Sequence, residues 1–284
     1  MSQQILAHLA RADPVLGGLI RAVGPCGLEP RSDCHPFESL VQAIAHQQLH
    51  RTAANSILGR LVASCGRGAF PTPQMLLAAP VATLRAAGFS AAKVAALRDL
   101  AQKTLAAVVP DAATLSALPD EEIIARLTDV RGVGRWTVEM LLIFQLGRPD
   151  VLPVDDFGVR AGFRATYGLR SMPRPAALAK WGERWRPYRS TAAWYLWQAL
   201  ELERADKLPL PAERIRLPRV VRVRRRVRRR KTRRAGLRSA AAAAAARARL
   251  RRDGASSAPP RRAGARRRSR RPRAPRSRAP GSRR

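Results

Sequence analysis

The chain has 284 residues, with 54 Lys and Arg against 20 Asp and Glu, room for one substantial domain or two small ones. The charge is uneven: residues 212–284 hold 30 basic and two acidic residues (+28), while residues 1–211 hold 24 basic and 18 acidic (+6). No apolar run reaches membrane-spanning length, and "MSQQILAHLARADP" is too polar and interrupted for a secretory leader, so no membrane association and a cytoplasmic, nucleoid-associated protein are expected.

In chain order, the first long periodic segment is "HPFESLVQAIAHQQLHRTAANSILGRLV", where Pro36 suits a first helical turn and Leu40, Val41, Ile44, Ala45, Ala53, Ile57 and Leu61 fall at helical spacing. It reads as an amphipathic helix. Ser90 is placed to cap "AAKVAALRDLAQKTL", whose stripe is Val94, Leu97, Ala101 and Leu105, and Asp111 to cap a short helix ahead of "LPDEEIIARL". Strand-like alternation is scarce. The expected fold is therefore all-α, with eight to ten helices arranged in two lobes.

Between "EEIIARLTDV" and "RWTVEMLLIFQLG" lies "VRGVGRW", in which Gly132 and Gly134 permit a tight turn or a close backbone approach. This is a helix-hairpin-helix. Free amides at the start of the second helix, with Arg131 and Arg135, would suit a nucleic-acid phosphate, although an ordinary tight helix connection has the same glycines. The following "LGRPDVLPVDDFGVRAGFRATYG" brings Asp155 and Asp156 to the start of another helix. A cap is one role for them, and a carboxylate held near a sugar to stabilise positive charge or orient water is another.

The aromatic residues concentrate late. Trp181 and Trp185 are four apart, Trp194 and Trp197 three apart, with Tyr188 and Tyr195 among them. They could fill a core or stack on a base, and Trp136 beside the hairpin is a further candidate. Cys26, Cys34 and Cys65 lack metal-ligand spacing, and the i, i+4 pair His46 and His50 lacks a zinc-protease glutamate. Neither a metal nor a cofactor is expected. From Val220 onward, arginine runs, prolines and a polyalanine stretch oppose a core, giving a disordered basic tail over 212–284 that would attract polyanions; a misread frame in a GC-rich gene would have the same composition.

Residues 129–160, "DVRGVGRWTVEMLLIFQLGRPDVLPVDDFGVR", resemble the helix-hairpin-helix DNA glycosylase superfamily, most closely its DNA-3-methyladenine glycosylase II branch. "AIAHQQLHRTAA" and "RWRPYRSTAAWYLW" fit the same branch, so the likeness covers about residues 10–205 within a glycosylase domain of residues 1–211. The resemblance implies a two-lobed helical domain that acts as a monomer on duplex DNA containing alkylated bases and leaves an abasic site. Asp155 takes the catalytic position, Gly132 and Gly134 those of the hairpin, and Gln48 that of the residue inserted into the duplex, where the well-known relative has leucine; Gln47 and Gln48 also read as surface amides. The base pocket would draw on Trp136, Trp181, Trp185, Trp194, Trp197 and Tyr188.

Two positions limit the implied chemistry. Strand-cleaving relatives carry a Schiff-base lysine where this chain has Trp136, so hydrolysis without strand cleavage is expected. Iron–sulfur relatives carry four closely spaced cysteines after the catalytic region, whereas every cysteine here precedes residue 66, so no cluster is expected. Other implied readings are a glycosylase for uracil, hypoxanthine or mispaired adenine, and a noncatalytic DNA-binding protein.

Overall fold

The computed structural model describes residues 3–31 and 35–209. Cys34, the 211/212 boundary and the basic tail lie outside the described residues. The first half of the domain contains α1 (Gln3–Ala12), α2 (Pro14–Val23), α3 (Pro36–His46), α4 (Arg51–Cys65), α5 (Pro73–Ala78), α6 (Val81–Ala86) and α7 (Ala91–Leu105). The second half contains α8 (Ala112–Ala117), α9 (Asp120–Leu127), α10 (Arg135–Phe144), α11 (Phe157–Thr166), α12 (Pro175–Gly182), a 3₁₀ turn (Glu183–Trp185) and α13 (Arg189–Arg204). Thirteen α-helices therefore stand among the described residues, more than the eight to ten expected. Six-residue helices such as α5, α6 and α8 are too short to show a period. None of the described helices is long and apolar enough to cross a membrane.

Local signals placed the ends well. Pro36 occupies the first turn of α3, Ser90 accepts from the Lys93 amide at 3.2 Å, and Asp111 accepts from the Thr114 amide at 2.7 Å, each satisfying a group that a helix terminus leaves unpaired. One expectation is corrected. The segment from Pro36 to Val62 is two helices, broken at residues 47–50, where Gln48 takes φ +56°. The apolar stripe already skips from Ala45 to Ala53, and the Lys93 Nζ donates to the Ala45 and Gln47 carbonyls at 2.8 and 2.9 Å, satisfying the end of α3.

Two cores divide the helices. One runs from Phe37 to Val151 and is built by α3 to α10. The other joins the chain's early helices to its late ones: Leu9, Leu16 and Leu19 of α1 and α2 pack with Val159, Phe163, Tyr167, Trp185 and Leu196. The lobes meet at the loop from α10 to α11, which α13 holds in place. Its Ser190 hydroxyl accepts from the Val151 amide at 2.9 Å and donates to the Arg148 carbonyl at 2.6 Å, while Arg189 pairs with Asp150 at 2.7 Å.

Candidate active site

The hairpin between α9 and α10 is anchored by Val130 and Val133, both buried, and closed by the Val133 amide donating to the Val130 carbonyl at 3.0 Å. Gly132 adopts φ +78°, a conformation costly for a residue with a Cβ. Neighbours strap the turn on two sides. Gln47 Nε2 donates to the Gly132 carbonyl at 2.8 Å, and the Arg131 amide donates to Asp99 Oδ2 at 2.7 Å. Gly134 caps α10 without a side chain, and a Cβ there would meet nothing within 4 Å. The space beside Gly134, at the start of α10, is therefore open.

Of the two hairpin arginines, Arg131 is exposed. Arg135 is not a free cation. Its guanidinium donates to both oxygens of Glu121 at 2.6 and 3.0 Å and to Glu139 at 3.0 Å, and those carboxylates, Glu121 foremost, hold its pKa above the ordinary value. The phosphate contact expected of it would have to compete with two ion pairs.

The adjacent acids occupy different surroundings. Asp155 lies in an exposed turn, its carboxylate makes no hydrogen bond among the described residues, and its charge acts on Glu139. Asp156 is half-buried and caps α11, accepting at Oδ1 from the Val159 amide at 2.7 Å. Two indoles complete its shell: Trp197 Nε1 donates to Oδ1 and Trp136 Nε1 to Oδ2, each at 2.8 Å.

Trp136 connects this carboxylate to a cavity of about 740 Å³ between α3, α10 and the start of α7. Its walls include Trp136, Met140 and Phe144 along one face of α10, with His46 and Gln42 opposite. No carboxylate lines it. Gln48 stands at its edge, exposed in the left-handed turn rather than on a helix surface. Lys93 also lines it, with its amine committed to two carbonyls and its pKa lowered by burial.

The remaining aromatic candidates lie elsewhere. Trp181 and Trp185 are corrected to core residues: both are buried, and their indole nitrogens donate to Asp13 Oδ2 at 3.0 and 3.1 Å, beside the Tyr167 hydroxyl at 2.7 Å. A buried indole needs an acceptor, and theirs is about 170 positions away in sequence. Trp194 lies edge-on to Tyr195, with centroids 4.9 Å apart, and Tyr188 edge-on to His8 at 5.3 Å; neither lines the cavity. Sequence reasoning missed Met140 and Phe144, whose i+4 and i+8 spacing from Trp136 looks like an ordinary core stripe. His46 ends α3 and His50 precedes α4, so the pair shares no helix face, and the described residues include no cluster of three metal-binding side chains.

Comparison with known proteins adds to this geometry. Residues 41–187 match the model of the HhH-GPD superfamily of base excision DNA repair proteins. The chain is 39% identical over 210 residues to DNA-3-methyladenine glycosylase 1 of Schizosaccharomyces pombe, covering 70% of this chain and 91% of that protein. A solved structure of the S. pombe 3-methyladenine DNA glycosylase with abasic DNA superimposes with a TM-score of 0.62 at 39% identity, covering 69% of this chain and 96% of that one. A DNA-3-methyladenine glycosidase from Bacillus halodurans superimposes with a TM-score of 0.65 at 32% identity, covering 71% and 91%.

Proposed function

This chain belongs to the HhH-GPD superfamily of base excision DNA repair proteins, and from that premise we infer that it is a monofunctional DNA glycosylase. It hydrolyses the N-glycosidic bond of alkylated purines such as 3-methyladenine in duplex DNA and leaves an abasic site. The observation that carries this reading is the Asp155–Asp156 pair at the start of α11, joined through the Asp156–Trp136 bond to an aromatic cavity.

The hairpin receives a backbone phosphate at the open start of α10, and Gln48, on its exposed turn, fills the space of the extruded nucleotide. The damaged base enters the cavity against Trp136, where a ring face favours the positive charge of an N-alkylated purine. That base is already a good leaving group. The main catalytic demand is therefore to stabilise the developing oxocarbenium-like sugar and admit water, which a carboxylate performs.

We assign that carboxylate to Asp155, the position at which the family resemblance puts the catalytic acid, with Asp156 as the α11 cap beside it. The support is that the Asp155 carboxylate is exposed and free of hydrogen bonds among the described residues, whereas both Asp156 oxygens are already engaged by three N–H donors. Trp136 supplies no amine for a Schiff base, and the Lys93 amine is already bound. Every group in this scheme comes from one chain, which fits a monomer.

Release of free bases from randomly methylated duplex tests the assignment. Asp155→Asn should lower 3-methyladenine release by about 10²- to 10⁴-fold, with binding to abasic duplex retained and Asp156→Asn losing less. The reverse pattern would move the catalytic role to Asp156. The product strand should stay intact until heated in base, and borohydride should trap no adduct; a trapped adduct at any internal lysine would end the monofunctional reading.

A further inference from the structure

The turn that presents Gln48 is held by a single amine. Residues 47–50 separate α3 from α4, and Gln48 takes φ +56° there, a left-handed conformation that a residue with a Cβ keeps only where its surroundings enforce it. Lys93, in the first turn of α7, donates from Nζ to the Ala45 and Gln47 carbonyls at 2.8 and 2.9 Å. The Gln47 carbonyl lies in the peptide plane whose rotation against the Gln48 Cα is φ, so fixing that oxygen fixes the turn. Gln47 also reaches the hairpin, its Nε2 donating to the Gly132 carbonyl at 2.8 Å. α7 meets the hairpin a second time through Asp99, which accepts from the Arg131 amide at 2.7 Å. The Gln48 turn and the hairpin are thus seated on one helix.

We propose that Lys93 is a positioning residue for insertion into the duplex: its amine holds the Gln47–Gln48 peptide so that the Gln48 side chain stands ready to fill the gap when the hairpin takes its phosphate. The proposal rests on the reading of Gln48 as the residue that fills the space of the extruded nucleotide. A side chain on a free turn would have to be ordered at the moment of binding, whereas one fixed in advance avoids that cost. An ammonium suits the task, because it makes charge-assisted bonds to both carbonyls and stands at the C-terminal end of α3, where the helix dipole favours a cation. Lys93 lines the cavity, yet it acts on the duplex through Gln48 rather than on the base.

The test is a double-mutant cycle in the full chain with Lys93→Met, Gln48→Ala and the double variant. It measures single-turnover release of 7-methylguanine placed opposite cytosine, or opposite a tetrahydrofuran abasic analogue that leaves the lesion unpaired and less costly to extrude. Lys93→Met should slow release from the paired duplex by about ten- to hundredfold, the effect of losing charge-assisted hydrogen bonds. On the unpaired duplex it should stay within about threefold of the parent, and Gln48→Ala should show the same split. The double variant should be no slower than the slower single one, because both changes remove one function. A Lys93→Met loss that is equal on the two duplexes overturns the proposal, as do losses that multiply in the double variant. Parent-rate release by Gln48→Ala from the paired duplex overturns the reading of Gln48 instead. Should Lys93→Met not fold, Lys93→Gln ends one atom short and carries no charge, and parent-rate release by it from the paired duplex counts against the proposal.

Discussion

Glu139 shows how burial and pairing compete at one residue. Its side chain is 6% exposed and 3.0 Å from Arg135, and burial pushes its carboxyl above the ordinary range more strongly than Arg135 pulls it down. The folded state therefore holds this proton more tightly than the unfolded state does. The site's contribution to stability is fully present below the ordinary carboxylate range and is lost as pH rises through that range to the raised value. Glu139→Gln removes the buried charge and leaves Arg135 its two-oxygen contact with Glu121. Urea unfolding should find the variant at least as stable as the parent at about pH 7.5, with the gap closing at about pH 4. A large loss at the higher pH would mean that the Arg135 pair outweighs desolvation.

At the scale of elements, the hairpin separates two requirements that its paired glycines disguise. Gly132 needs a left-handed backbone, while a Cβ there would only touch the Ala96 Cβ at an ordinary 3.4 Å. Gly132→Ala should therefore cost about 1 kcal/mol of stability through φ alone. Gly134 has an ordinary φ of −98° and open space where a Cβ would go, so Gly134→Ala should cost under about 1 kcal/mol, through a poorer cap. On the proposed phosphate contact at the start of α10, duplex affinity should nevertheless fall in Gly134→Ala, because the added methyl enters the open space beside that turn. Denaturation and binding measured on both variants check this, and unchanged affinity in Gly134→Ala would move the phosphate elsewhere.

For the whole molecule, two cores meet at one carboxylate. The loop that carries Asp156 leaves the first core at Val151 and enters the second at Leu152, so the lobes' packing fixes the distance from cavity to acid. Among the described residues, Leu208 is the last side chain packed against either core, whereas residues 212–284 add a net +28. A chain ending at Pro211 should fold and excise 3-methyladenine, yet bind undamaged duplex with a flatter salt dependence, each lost phosphate contact removing about 0.9 from the log–log slope. Binding at several salt concentrations for both lengths tests it. Identical slopes would exclude the segment from DNA binding, and an inactive short form would move the domain boundary.

The sequence by itself determined the all-α class, the caps at Ser90 and Asp111, the hairpin and the neighbourhood of the acids, because periodicity, caps and turn glycines act over a few residues. Even the break after α3 left a trace, in the skipped stripe between Ala45 and Ala53. Only the tertiary structure showed how differently Asp155 and Asp156 are surrounded, since adjacent carboxylates with the same local pattern differ here through Trp136 and Trp197, 20 and 41 positions away. It also decided which aromatics face the cavity: Trp181 and Trp185 turn inward because Asp13, near the other end of the chain, accepts their protons. Hydrophobic spacing reports that a side chain is covered, whereas the group that covers it is fixed by packing between distant helices.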